Sequence, residues 1–129
     1  MVGRPFQRAM VSVLALALTT STAAADETLV RADQLFEEAK AMVDKDLAGG
    51  CAKFEESLRL NSQAIGTLLN VALCDEKLGR YASAVAKFTE ARDRAKEQGM
   101  DVHRQAAEDH LQGLAGKVPH ITLTFSEPP

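Results

Sequence analysis

The segment CAKFEES, residues 51–57, returns 34 residues later as VAKFTEA, residues 85–91. Lys, Phe and Glu occupy the same places in both copies, and four matching offsets hold apolar, aromatic or small residues. Offsets of i, i+3, i+7 and i+10 fall on one face of a helix. The four positions are Leu47, Gly50, Phe54 and Ser57 in the first copy and Tyr81, Ala84, Phe88 and Ala91 in the second. We interpret the copies as equivalent helices of an internal repeat.

Apolar residues at spacings of three and four predict five helices, so the expected fold class is all-α. The approximate bounds are 28–43, 47–60, 64–78, 81–98 and 101–116. The third helix is apolar almost all round, which is typical of a helix packed between neighbours, so it should be central. We expect Ser62 to cap the third helix and Asp101 to cap the fifth, and Gly79 to end the third.

Within residues 30–116, the motifs KFEESLRLNS, GTLLNVALCDEKLGR and ASAVAKFTEA resemble the tetratricopeptide repeat (TPR) family. They are similar in particular to exported myxobacterial-type members, which carry one repeat pair and often continue into a β-rich domain. The resemblance implies two antiparallel helix hairpins followed by a capping helix. It also implies a function as a protein–protein interaction scaffold, whose concave face binds a peptide or protein segment. The positions that match the groove of the family are Phe36, Lys40, Leu69, Asn70, Leu73 and Lys77.

The two cysteines, Cys51 and Cys74, lie in the predicted second and third helices at equal distances from the turn NSQ, residues 61–63. Helices joined by a short turn pack antiparallel, so residues equidistant from that turn face each other. In an exported protein, two facing cysteines predict a disulfide. The alternative is a pair of buried free thiols that pack as small apolar side chains.

The N-terminal 25 residues have the three parts of a cleavable signal peptide. Arg4 and Arg8 precede the apolar run AMVSVLALAL, and the small residues Ala23–Ala25 offer a cleavage site before Asp26. The expected location is therefore periplasmic or secreted, with no stable membrane anchor after cleavage. Losing the two arginines takes the formal net charge from −3 to −5. An acidic chain argues against nucleic acid as the partner, because nucleic acid binding needs clustered positive charge.

The predicted domain organisation is a signal peptide at residues 1–25, a helical domain at 26–117 and a tail at 118–129. In the tail, the stretch HITLTF, residues 120–125, alternates apolar and polar residues and predicts one short β-strand. This strand has no partner in the sequence. It leads to the alternative function, a structural spacer or assembly module of a truncated multidomain cell-envelope protein, with no ligand groove of its own.

Catalytic chemistry is not expected from this sequence. His103 and His110 share a helix face at i, i+7, with no ligand between them to complete a metal site, and we expect both to be solvated. The adjacent carboxylates Asp75 and Glu76 diverge around a helix and should also face solvent. No serine lies in a nucleophile elbow, and the glycines do not form a phosphate loop. The sequence therefore predicts no enzyme, no metal site and no cofactor.

Overall fold

The computed structural model describes Gly3 and residues 20–119 of the chain. Five helices occupy most of this range, and none of the residues described is in a strand. The helices are α1 (Thr20–Met42), α2 (Leu47–Leu60), α3 (Ile65–Lys77), α4 (Tyr81–Glu97) and α5 (Asp101–Leu114). The predicted all-α fold is confirmed for this part of the chain, whereas the strand predicted at residues 120–125 lies outside the described residues.

The largest difference from the predicted helices lies at the start of α1. This helix begins at Thr20, eight residues before the predicted start at Thr28, and it runs through the predicted cleavage site after Ala25. Three consecutive alanines at residues 23–25 explain the extension, because alanine has the highest helix propensity and needs no buried face to be helical. The apolar periodicity used to predict the helix is absent from such a stretch.

The turns between helices were predicted in part. Gly79 has φ +76° and ends α3, as expected, and Gly99 has φ +67° and does the same after α4. The expected caps at the other helix ends were wrong. Ala64, which makes no side-chain capping bond, stands at the N-cap of α3, and Asp101 is already the first residue of α5. Asp46 is the N-cap of α2, and its Oδ1 accepts a hydrogen bond from Gly49 N at 2.9 Å.

The helices pack as a chain of neighbours in which α3 is central. Each helix contacts the next along the sequence, and α3 also contacts α5. Two hydrophobic clusters result, which we call the first core and the second core. The first core is formed by Ala39, Cys51, Phe54, Val71 and Cys74, from α1, α2 and α3. The second core is formed by Ile65, Leu68, Leu69, Ala72, Ala84, Phe88, Ala91, Ala95, Ala107 and Leu114, from α3, α4 and α5. Because α3 contributes to both cores, its nearly all-round apolar character is explained.

The repeated segments are placed equivalently in two helix hairpins, α1–α2 and α3–α4. Phe54 and Phe88 are 2% and 0% exposed and fill the two cores. The small residues three positions after these phenylalanines, Ser57 and Ala91, are also buried. Ser57 Oγ donates a hydrogen bond to the carbonyl of Ala32 at 2.8 Å, so the hydroxyl is satisfied and ties α2 to α1. The packing reason for the repeated pattern is thus visible in both hairpins.

Gly50 of α2 packs closely against Val43, the residue that follows α1, and Gly50→Ala is expected to destabilise the protein. A Cβ at this position would lie 2.6 Å from Val43 Cα and 2.8 Å from Val43 N, so the backbone of α1 would have to move. Overpacking of this kind costs about 1–3 kcal/mol, which exceeds the gain in helix propensity of up to about 1 kcal/mol. The measurement is urea unfolding followed by circular dichroism.

Gly113→Ala is the matched control for that variant. Gly113 lies near the end of α5, and apart from its chain neighbours and the backbone of its own helix nothing lies within 4 Å of an added Cβ. The same substitution should therefore stabilise the protein by about 0.5 kcal/mol through helix propensity alone. Equal effects of the two substitutions would contradict the close helix contact at Gly50.

No helix in the described part of the chain is long and apolar enough to span a membrane.

Candidate interaction face

One side of α3 carries three of the six residues predicted to form a groove. Gly66, Asn70, Leu73 and Lys77 are spaced i, i+4, i+7 and i+11, and they form a partly exposed stripe along this helix. Asn70 Nδ2 donates to the carbonyl of Gly66 at 2.8 Å, while its Oδ1 accepts no hydrogen bond among the residues that the structure describes. Leu69 is different, since it is 9% exposed and packs in the second core beneath the stripe.

The two groove positions predicted on α1 lie together near the C-terminal end of that helix. Phe36 packs edge-on against Phe54, with ring centroids 5.5 Å apart and an interplanar angle of 63°. Lys40 Nζ lies 5.3 Å from the centroid of the Phe36 ring and is hydrogen-bonded to Glu37 at 3.0 Å. Phe36 also packs on the first core, to which α3 contributes Val71 and Cys74. The exposed ammonium of Lys40 is held beside it.

The fifth helix borders the stripe through two histidines. His110 Nδ1 is hydrogen-bonded to Glu76 Oε2 at 2.7 Å. The imidazole is stacked on the Phe88 ring, with centroids 4.8 Å apart and planes inclined by 4°. His103 Nε2 lies 3.6 Å from the place of a Cβ on Gly66, so α5 begins next to the stripe. The expectation that His110 and Glu76 are simply solvated was therefore wrong, because the packing of α5 on α3 brings them together.

Asp75 was also expected to face solvent, and it is buried. Asp75 is 2% exposed and lies with three donors from the α3–α4 hairpin. Its Oδ1 forms a salt bridge with Arg80 Nε at 2.8 Å, and its Oδ2 accepts hydrogen bonds from Lys87 Nζ and Ser83 Oγ, each at 2.6 Å. Burial raises the pKa of Asp75, but the hydrogen bonds from Lys87 and Ser83 and the charges of Lys87 and Arg80 outweigh it, so the pKa lies below its usual value.

The Asp75 cluster, formed by Asp75, Arg80, Ser83 and Lys87, looks at first like catalytic machinery. Ser83 Oγ receives a hydrogen bond from Lys87 at 2.7 Å and donates its own proton to Asp75. A serine nucleophile needs an adjacent base that is free to take this proton. Lys87 instead donates to both the hydroxyl and the carboxylate, so the arrangement favours a lock between α3 and α4 over nucleophilic catalysis.

Two surface depressions lie on other parts of the molecule. One of about 450 Å³ is lined by Val30, Asp33, Gln34, Glu37 and Glu38, on the outer side of α1. A neighbouring one of about 390 Å³ is lined by Glu38, Ala41, Met42, Lys45 and Lys53. Neither of these depressions includes the stripe of α3. The candidate face is therefore an exposed helix surface without a deep pocket. Such a surface suits an extended peptide better than a small molecule.

Metal binding has no support in the described part of the chain, where no group of three or more His, Cys, Asp or Glu residues is placed to hold an ion. Comparisons of the chain with protein-family models, with curated proteins and with solved structures find no match.

Proposed function

We propose that this chain is an exported, TPR-like scaffold that binds a peptide or protein segment and has no catalytic activity. The binding face consists of the stripe of α3 together with Phe36 and Lys40 of α1. The observation that carries the proposal is the stripe itself, since α3 is mostly buried elsewhere and leaves Asn70, Leu73 and Lys77 partly or fully exposed. These side chains offer an amide, an aliphatic surface and a cation to the backbone, side chains and carboxylates of a peptide.

The TPR-like part of the proposal is supported by the 34-residue period and by the equivalent burial of Phe54 and Phe88. In helical-repeat proteins, stacked hairpins create the extended concave surface that is used for recognition. Export is supported by the basic and apolar N-terminal pattern. The cystine between α2 and α3 is compatible with an oxidising compartment.

Selection from a random peptide library displayed on phage tests the binding face. The wild-type protein should retain a set of peptides, and the double variant Asn70→Ala/Lys77→Ala should bind the same synthetic peptides at least about tenfold more weakly. The reason is that both polar groups of the stripe are removed, while the buried cores are untouched. Fluorescence anisotropy with each selected peptide gives the two dissociation constants.

Lys96→Ala/Gln98→Ala is the matched control, because it removes one lysine and one amide at the exposed end of α4, away from the stripe. This control should bind the peptides as the wild type does. Equal affinity of the stripe variant and the control would contradict the proposed face. Failure of the wild type to select any peptide would favour the alternative function as a spacer of a longer envelope protein.

A further inference from the structure

The disulfide connects the α1–α2 hairpin to the α3–α4 hairpin and does not lie within either of them. Cys51 belongs to α2 and Cys74 to α3, with the two Cα atoms 5.7 Å apart and the sulfur atoms at bonding distance, 2.07 Å. The prediction that the two cysteines face each other is confirmed. Both residues are 2% exposed, and no free cysteine accompanies them in the described part of the chain. The bond therefore lies inside the seam between the α1–α2 hairpin and the remaining helices.

The non-covalent contacts across this seam are few. Apart from the cysteines, the buried residues of the first core that face each other from α2 and α3 are Phe54 and Val71. Leu58 adds a partly buried side chain that packs against both cores. The ion pair across the seam, Arg80 with Glu55 at 3.4 Å, has both side chains 50% exposed, and pairs of this kind contribute little.

The second core is much larger, and it is built without α1 and α2 except for the contact of Leu58. Its ten buried residues all come from α3, α4 and α5. The Asp75 cluster ties α3 to α4, and the hydrogen bond between His110 and Glu76 ties α5 to α3. Helices α3–α5 therefore have their own core and their own polar links, whereas the first hairpin is joined to them through a small core that includes the cystine.

We infer that the Cys51–Cys74 disulfide is a redox latch that holds the α1–α2 hairpin on a separately stable α3–α5 unit. When a dithiol reduces the bond, two electrons and two protons pass to the cystine. Two thiols form, and the dithiol becomes a disulfide. Reduction thereby removes the covalent constraint on the seam, and α1–α2 detaches while α3–α5 stays folded. The two halves of the candidate face, on α1 and α3, then separate.

This inference does not depend on the function proposed above, since it concerns only how the hairpins are coupled. Its physical basis is loop closure. A bond between residues separated by 23 positions restricts the open chain strongly, and its loss favours the detached state by a factor of roughly a hundred. Because the cystine is buried, the protein must open locally before a reductant reaches the sulfur atoms.

Hydrogen–deuterium exchange with mass spectrometry, with and without dithiothreitol, tests the latch. In the oxidised protein, all five helices should be protected. After reduction, the amides of α1 and α2 should exchange roughly a hundredfold faster, and those of α3, α4 and α5 less than about tenfold faster. Cys51→Ala/Cys74→Ala should show the reduced pattern in both conditions, which excludes an effect of dithiothreitol on other groups.

Two results would overturn the inference. Equal acceleration in all five helices would mean that the molecule opens as one cooperative unit, so that the disulfide stabilises the whole fold and latches no part of it. Unchanged protection of α1 and α2 after complete reduction, verified by the mass of two alkylated thiols, would mean that the small core alone holds the hairpin.

Discussion

Phe88→Ala is expected to lower the free energy of unfolding by about 3–5 kcal/mol, the largest effect of any single substitution considered for this protein. Phe88 is 0% exposed and belongs to the second core, between α3 and α5. Its ring also stacks on the imidazole of His110, so truncation removes an aromatic contact together with the buried surface. Helix α5 would then lose its principal aromatic support. Urea unfolding followed by circular dichroism measures the loss.

Phe88→Leu separates the buried volume from the aromatic contact. Leucine keeps most of the apolar contact with α3 and leaves only a small cavity, so this variant should lose less than half as much stability as Phe88→Ala. The equivalent substitution Phe54→Ala removes a ring from the smaller first core, and its loss of stability can be compared with that of Phe88→Ala. A loss of less than about 1 kcal/mol for Phe88→Ala would contradict the central place of this ring in the second core.

The repeat pattern carried enough information to predict most of the fold. The period of apolar residues identified α2, and it placed α3, α4 and α5 within two residues at each end. It succeeded because helices buried on one or more sides must repeat apolar residues at the helical period. The mirror positions of Cys51 and Cys74 about a short turn were likewise fixed by geometry that the sequence determines. The early start of α1 carried no such signal, because it depends on propensity alone.

The candidate face and its surroundings were predictable only in part. The stripe of α3 follows from helical spacing, but the spacing did not distinguish Leu69, which packs inward, from its neighbour Asn70. Glu76 and His110 were misjudged because a local pattern says nothing about a partner that arrives from a helix 34 residues away. Both residues were predicted to be solvated, and the packing of α5 on α3 paired them with each other. The same reason explains Asp75, whose partners come from the following helix.

Asp75→Asn is expected to destabilise the protein by about 2–3 kcal/mol at pH 7. The carboxylate is 2% exposed, accepts hydrogen bonds from Ser83 and Lys87 and forms a salt bridge with Arg80, and hydrogen bonds to charged groups are among the stronger ones. An amide replaces one accepting oxygen with a donor, so either Arg80 or the pair of Ser83 and Lys87 would face an NH₂ group. Lys87 remains 30% exposed, which lets water relieve part of the loss and keeps the effect below that of a fully buried ion pair.

The dependence of this effect on pH provides the sharper test. The pKa of Asp75 lies below its usual value in the folded protein, since its hydrogen bonds and the neighbouring cations outweigh the effect of burial. A carboxylate of this kind binds its proton more readily in the unfolded chain. Its stabilisation is therefore complete above an unfolded pKa of about 3.9, and is lost as the pH falls through the folded pKa.

The difference in stability between wild type and Asp75→Asn should accordingly be constant from pH 5 to pH 7 and shrink below about pH 4. Glu37→Gln is the control, because Glu37 pairs with Lys40 on the exposed surface of α1 and its loss should leave stability unchanged within error at every pH. A difference for Asp75→Asn that stays the same down to pH 2 would show that shape and not charge governs the cluster. A buried carboxylate with several partners loses its stabilising effect when it is protonated. We therefore expect protonation of Asp75 to contribute to the loss of folding stability at acid pH.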